Sequence, residues 1–157
     1  MRIVPRRAKP VVSTVPENRG LLVDTSAWIE LFRRPQRVTL EQMVGDRDRV
    51  VTCLPVIQEV LQGFDDEWAF RIAHTAMHAL PCVDSPLPAA AVDAAVDLYR
   101  RARRAGVTVR SSVDCLIAAC ASRHHLAVVH CDRDYAKLAT LAPFEHVDIS
   151  TLLVRRR

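Results

Sequence analysis

Four acidic side chains stand where apolar segments give way to polar ones. Asp24 directly follows LLV, and Glu59 lies one turn into PVIQEVLQG. Asp114 sits in the first turn of SSVDCLIAAC, and Asp132 follows LAVVH with only Cys131 between. Carboxylates brought together without basic partners repel: at ~4 Å each pair costs about 4 kcal/mol at an effective dielectric of ~20. A divalent cation relieves that repulsion, and a set of hard oxygen ligands favours Mg²⁺ or Mn²⁺. Each acid also has an ordinary role. Asp24 and Asp132 suit helix N-caps, worth about 0.5–2 kcal/mol each. Ser111 and Asp114 have the S-x-x-D spacing of a capping box, and a first-turn acid suits the helix dipole. Glu59 reads as a solvated helix residue. Taken singly, each acid is better explained structurally; the metal reading gains weight only if all four share one place.

The elements that carry them decide this. LLV at 21–23 reads as a short buried strand, followed by a helix over 25–33 whose Trp28, Ile29, Leu31 and Phe32 recur at near-helical spacing. Pro35 breaks it. A helix over 39–44 ends at Gly45, and RVVTC at 49–53 is a second strand. Pro55 opens the next helix in its first turn, where a missing N–H costs nothing. Gly63 interrupts that helix, and DDEWAFRIAHTAMHAL continues as another. Pro86 and Pro88 mark a loop before AAAVDAAVDLYRRARRAG, a helix with basic residues in its last turn and Gly106 beyond it. SSVDCLIAACASRHH is a helix, LAVVH a strand, DYAKLA a short helix and HVDI a closing strand or turn. Brief apolar strands alternating with helices predict an α/β fold with a parallel sheet covered on both faces. Ligands of such sheets bind outside the carboxyl ends of the strands. All four acids are expected on that rim.

The 157 residues suffice for one domain with a real core. Half are hydrophobic and a quarter charged, as in ordinary globular chains. The boundaries predict a basic, flexible leader over residues 1–19, a folded domain over 20–152 and a basic tail over 153–157. No apolar run approaches the ~20 residues that span a bilayer. The leader lacks the apolar stretch of a signal peptide, so a cytoplasmic protein is expected. Five cysteines, an odd number scattered through apolar segments, suit reduced thiols. Of the 22 basic residues only Lys9 and Lys137 are lysine. That skew suits phosphate recognition by forked guanidinium groups, and a GC-rich genome would produce it equally well.

Other chemistries fit less well. His124, His125, His130 and Cys131 lack the close spacings of a zinc site. There is no G-x-S-x-G for a serine hydrolase, and four glycines include no Gly-rich phosphate loop. A phosphatase built on a strand-end aspartate wants a second Asp two residues on, where Ser26 stands.

Four blocks in order, LLVDTSAWIELF, VIQEVLQG, SSVDCLIAACA and VVHCDRDYAKLA, resemble the PIN-domain ribonucleases. In their short single-domain form these are similar to the VapC toxins of bacterial toxin–antitoxin pairs. The resemblance spans about residues 20–152, and its D-C-L-I-A-A and C-D-R-D-Y segments are more specific than D-T-S. It implies a PIN-like three-layer fold, with a central, mostly parallel sheet of about four to five strands flanked by helices. Asp24, Glu59, Asp114 and Asp132 occupy the positions of the acidic metal-binding and catalytic set. Ser26 matches a supporting hydroxyl, and Thr25 is less suited to that role. Asp134 is the alternative to Asp132 and is expected to cap or position the short helix.

The implied activity is Mg²⁺-dependent endoribonuclease cleavage, with Mn²⁺ a substitute, leaving a 5′-phosphate and a 3′-hydroxyl. Arg110 and Arg133 are the nearest candidates to hold the RNA backbone, with a surface ion-pair role equally open. Transfer RNA or another structured RNA is the implied substrate. The implied partners are a VapB-like antitoxin, whose C-terminal segment lies across the active-site groove, and a second copy in a homodimer. EWAFRIAHTAMHAL would form part of the antitoxin groove or simply core. The competing expectation is a non-catalytic RNA- or protein-binding module on the same fold.

Overall fold

In the computed structural model, residues 15–35 and 38–154 are described. Five parallel strands form one sheet in the order β3-β2-β1-β4-β5. They are β1 (Leu21–Val23), β2 (Val50–Cys53), β3 (Cys82–Val83), β4 (Ala127–His130) and β5 (Glu145–Asp148). Eight helices connect and cover them: α1 (Thr25–Arg33), α2 (Leu40–Val44), α3 (Leu54–Leu61), α4 (Glu67–His78), α5 (Ala89–Arg104), α6 (Ser112–Arg123), α7 (Asp134–Leu138) and α8 (Ser150–Val154). This is the expected α/β architecture.

β1 is central because LLV has no polar side chain to expose; all three residues are fully buried. Leu22 is in register with Val51 on one side and Val128 on the other. The chain moves outward from β1 through β2 to β3, then returns to place β4 on the opposite side of β1. The strand order therefore reverses between β1 and β4, which is the crevice where open α/β sheets bind ligands. The Asp24 backbone N–H donates to Val129 O at 2.9 Å, holding the end of β1 against β4 at that crevice.

Local chemistry sets the helix ends. Asp24 caps α1, accepting from Ser26 N. Thr39 and Gln42 form a capping box on α2, Pro55 stands in the first turn of α3, and Asp66 caps α4. Gly106 takes φ +71° just past α5, a left-handed conformation that costs a residue without Cβ little. The S-x-x-D box at Ser111 does not form. Ser111 Oγ accepts from Val113 N at 3.2 Å, which leaves the Asp114 carboxylate free of the cap. α6 is buried on most of its surface, with Cys115, Ile117, Ala118, Cys120 and Ala121 essentially inaccessible. Its small residues let it pack closely between α5 and the sheet.

Three elements go beyond the sequence reading. β3 is a two-residue strand in PCVDSP, too short and too proline-flanked to show periodicity. A 3-10 turn over Arg47–Arg49 and helix α8 are the others. Residues 1–14 of the expected leader lie outside the described residues, as do 155–157 of the tail. The end of the leader is tied to the domain at points: Val15 is 5% exposed, and Arg49 donates to Pro16 O and Arg19 O, while residues 16–18 are exposed. Among the described residues no helix is long and apolar enough to cross a membrane.

Candidate active site

Asp24 is almost fully buried and accepts three hydrogen bonds. Ser26 N at 2.9 Å and Ser26 Oγ at 2.5 Å donate to Oδ2, and Tyr135 OH at 2.6 Å donates to Oδ1. Ser26 Oγ in turn accepts from Cys131 N at 3.0 Å, so one hydroxyl ties Asp24 to the end of β4. Capping and site placement are thus compatible in Asp24. Burial first, then the charges of Asp24 and Asp114, push the Tyr135 hydroxyl well above its ordinary pKa and keep it a donor.

Thr25 has a larger part than expected. Its Oγ1 donates to Glu59 Oε2 at 2.9 Å, joining α1 to α3. Burial, and to a lesser degree the charge of Asp24, raise the Glu59 pKa; the Thr25 hydrogen bond works against that rise. Glu59 also lines a groove of about 220 Å³ with Pro55, Gln58, Val113 and Leu116.

Asp114 is the strained member. It is 9% exposed, and its carboxyl is pushed up to about 7 by burial, then by Asp24, Asp132, Glu59 and Asp134. Asp114 thus feels the charges of Asp24, Asp132 and Glu59, and Glu59 that of Asp24.

Asp132 and Asp134 differ in environment. Asp132 Oδ1 accepts from Arg110 Nη2 at 2.5 Å and Asp134 N at 2.9 Å, and its side chain is 28% exposed. Asp134 is wholly enclosed, served by Lys137 Nζ at 2.8 Å, Arg110 Nε at 3.0 Å and Arg110 N at 3.2 Å. Burial alone would raise its pKa; the hydrogen bonds from Lys137 and Arg110 bring it down to about 2. Its charge is already met. Arg133 is exposed and pairs with no acid among the described residues.

His130 enters the site unforeseen. Burial, then the neighbouring His146, hold its pKa down at about 4, so the ring is neutral. Its Nδ1 accepts from Asp132 N at 3.1 Å, and its Nε2 faces His146 Nδ1 at 3.0 Å. The contacts assign the proton to Nε2. His124 pairs with Asp84 instead, so the histidines do not converge as a zinc site would require.

Among the described residues, no three His, Cys, Asp or Glu side chains are gathered tightly enough to hold a metal ion unaided. The acids that surround Asp114 offer oxygen donors alone. That suits Mg²⁺, which dehydrates reluctantly and is usually held by one or two carboxylates together with substrate phosphates. The all-oxygen donor set and the uncompensated charge at Asp114 fit such a cation.

Fold and site together define a class: a parallel α/β protein with Asp24 and Asp132 just past the ends of the two strands between which its order reverses. The chain belongs to the PIN domain family, which matches residues 21–141. It is 39% identical over 132 residues to Ribonuclease VapC11 of Mycobacterium tuberculosis (strain ATCC 25618 / H37Rv), covering 77% of this chain and 92% of the relative. The VapC ribonuclease Mb1587 of Mycobacterium bovis matches to the same extent. Among solved structures, a member of the VapBC family of toxin-antitoxin systems, VapBC-5 from M. tuberculosis, superposes with a TM-score of 0.61 at 23% identity. That match covers 83% of this chain and 98% of the other and shows the shared fold.

Proposed function

We propose that this chain is the toxin of a toxin–antitoxin pair and a Mg²⁺-dependent endoribonuclease, with Mn²⁺ an effective substitute. The observation that carries the reading is Asp114: a carboxylate 9% exposed and without an ion-pair partner among the described residues, set where Asp24, Asp132 and Glu59 act on it. The relatives at 39% identity are named as ribonucleases, which supports RNA as the substrate class. Asp24, Glu59, Asp114 and Asp132 would hold the ion, with Ser26, Thr25 and Tyr135 orienting two of them. When bound, a divalent cation supplies the charge that receives a scissile phosphate and eases ionisation of an attacking water. Asp134 serves as a structural acid that anchors Arg110 and Lys137. Arg133, exposed and next in sequence to Asp132, would grip the RNA backbone through its forked guanidinium. Transfer RNA or another structured RNA is the proposed target, since the acids read only phosphate and selection must come from RNA shape.

A VapB-like antitoxin is the proposed partner. Helix α4 buries only Ala73 and Met77, and leaves Trp68 73% and Ile72 50% exposed, an apolar face suited to a partner segment. Val92 and Val96 on α5 are also exposed and suit a second copy in a homodimer.

The test is cleavage of total cellular RNA by the purified chain in Mg²⁺ or Mn²⁺. Cleavage should vanish with EDTA and be largely lost in Asp114→Asn. RNA that is bound but left intact in both metals would favour a non-catalytic binding module instead.

A further inference from the structure

Arg110 bridges two acids of the C-D-R-D segment, with Nη2 on Asp132 and Nε on Asp134. The two carboxylates depend on it unequally. Asp134 keeps Lys137 Nζ and the Arg110 backbone N–H whatever the guanidinium does. Asp132 has no other cation among the described residues; its remaining donor is the backbone N–H of Asp134. The Arg110 side chain is 56% exposed, so it can turn into solvent without stranding a buried charge. Its fork matches a phosphate as well as a carboxylate, and exchanging one for the other keeps two charge-assisted hydrogen bonds.

Resting on the metal-site reading above, we propose that Arg110 is an internal counter-cation: it competes with a divalent ion for Asp132 and surrenders that carboxylate when it grips an RNA phosphate. In the free protein the guanidinium occupies one oxygen of a ligand and offsets one negative charge among the acids. Divalent-ion affinity is therefore held low until RNA arrives, and RNA and metal favour each other's binding reciprocally. Arg110 is a positioning residue in this scheme and makes no contact with reacting atoms.

The experiment is Mn²⁺ titration calorimetry on the full chain without RNA, comparing wild type with Arg110→Gln and Arg110→Lys. Gln removes the charge but keeps an amide donor for Asp134; Lys keeps the charge. R110Q should bind Mn²⁺ about three- to tenfold more tightly than wild type, with R110K within about twofold of it. In EDTA, R110Q should bind a fluorescent single-stranded RNA more weakly, with its salt slope reduced by about one. Thermal unfolding of all three variants reports whether the fold is intact, and R110K carries the comparison should R110Q unfold: Mn²⁺ affinity reduced in R110K would overturn the proposal. So would R110Q affinity equal to or below wild type. Mn²⁺ binding to Asp114→Asn as tight as to wild type would instead sink the metal-site reading, and this inference with it.

Discussion

Tyr135 donates its hydroxyl to Asp24 at 2.6 Å, joining a short helix after β4 to the end of β1 across 111 positions of sequence. Both side chains are buried, so the carboxylate cannot turn to water for a replacement donor. Tyr135→Phe leaves Asp24 with two donors rather than three, both on Oδ2, and Oδ1 without one. The loss of one hydrogen bond to a charged group should cost about 1.5–3 kcal/mol in denaturant unfolding. Mn²⁺ affinity should fall by about 10- to 100-fold, the usual effect of removing a ligand's supporting partner. Unchanged Mn²⁺ affinity would mean that Tyr135 is only core.

Thr25 plays the same part for Glu59. Thr25→Val keeps the shape, removes the donor to Oε2 and should reduce RNA cleavage by about tenfold or more. Thr25→Ser should restore most of it. If Val and Ser behave alike, the hydroxyl is irrelevant to Glu59.

Asp114 predicts a pH dependence. Its folded pKa, near 7, lies above the ordinary 3.8, so the folded protein holds this proton more tightly than the unfolded chain. The contribution to stability is full below pH about 4 and is lost as pH rises toward 7, by up to about 4 kcal/mol. On the proposed metal-site reading, Mg²⁺ would take the proton's place above that range. Mg²⁺ should therefore raise the melting temperature clearly at pH 8 and little at pH 5. Equal shifts at the two pH values would remove Asp114 from the ion site.

Asp134 runs the opposite way. Its folded pKa of about 2 is depressed, so its contribution is present above pH about 4 and lost as pH falls toward 2. Asp134→Asn should lower stability by about 1–3 kcal/mol, discounted because Arg110 and Lys137 are half-exposed. Asp132→Asn should cost less stability and more activity. Paired unfolding and cleavage assays on the two variants decide the assignment; the reverse pattern would exchange their roles.

Periodicity and punctuation alone place most helices and four of the five strands, because apolar runs, Pro55, Gly63 and Gly106 act over a few residues. The strand-end rule then puts Asp24, Glu59, Asp114 and Asp132 on one rim before any contact is known. β3 escaped because a two-residue strand owes its existence to pairing with Thr52 and Cys53 rather than to its own pattern.

The chain order of residues thus carries the fold class and the expectation of which acids face the strand-end rim, since both follow from local type and spacing. It could not say that Thr25 serves Glu59, that Tyr135 serves Asp24, or that neutral His130 holds the Asp132 backbone. Those are contacts across the sheet, set by register and helix packing. Nor could two aspartates in C-D-R-D be told apart from their spacing. Arg110 and Lys137 satisfy both oxygens of the enclosed Asp134, while Asp132 shares Arg110 at the opening and keeps one oxygen unclaimed, because only folding decides how many of the protein's own cations each carboxylate meets.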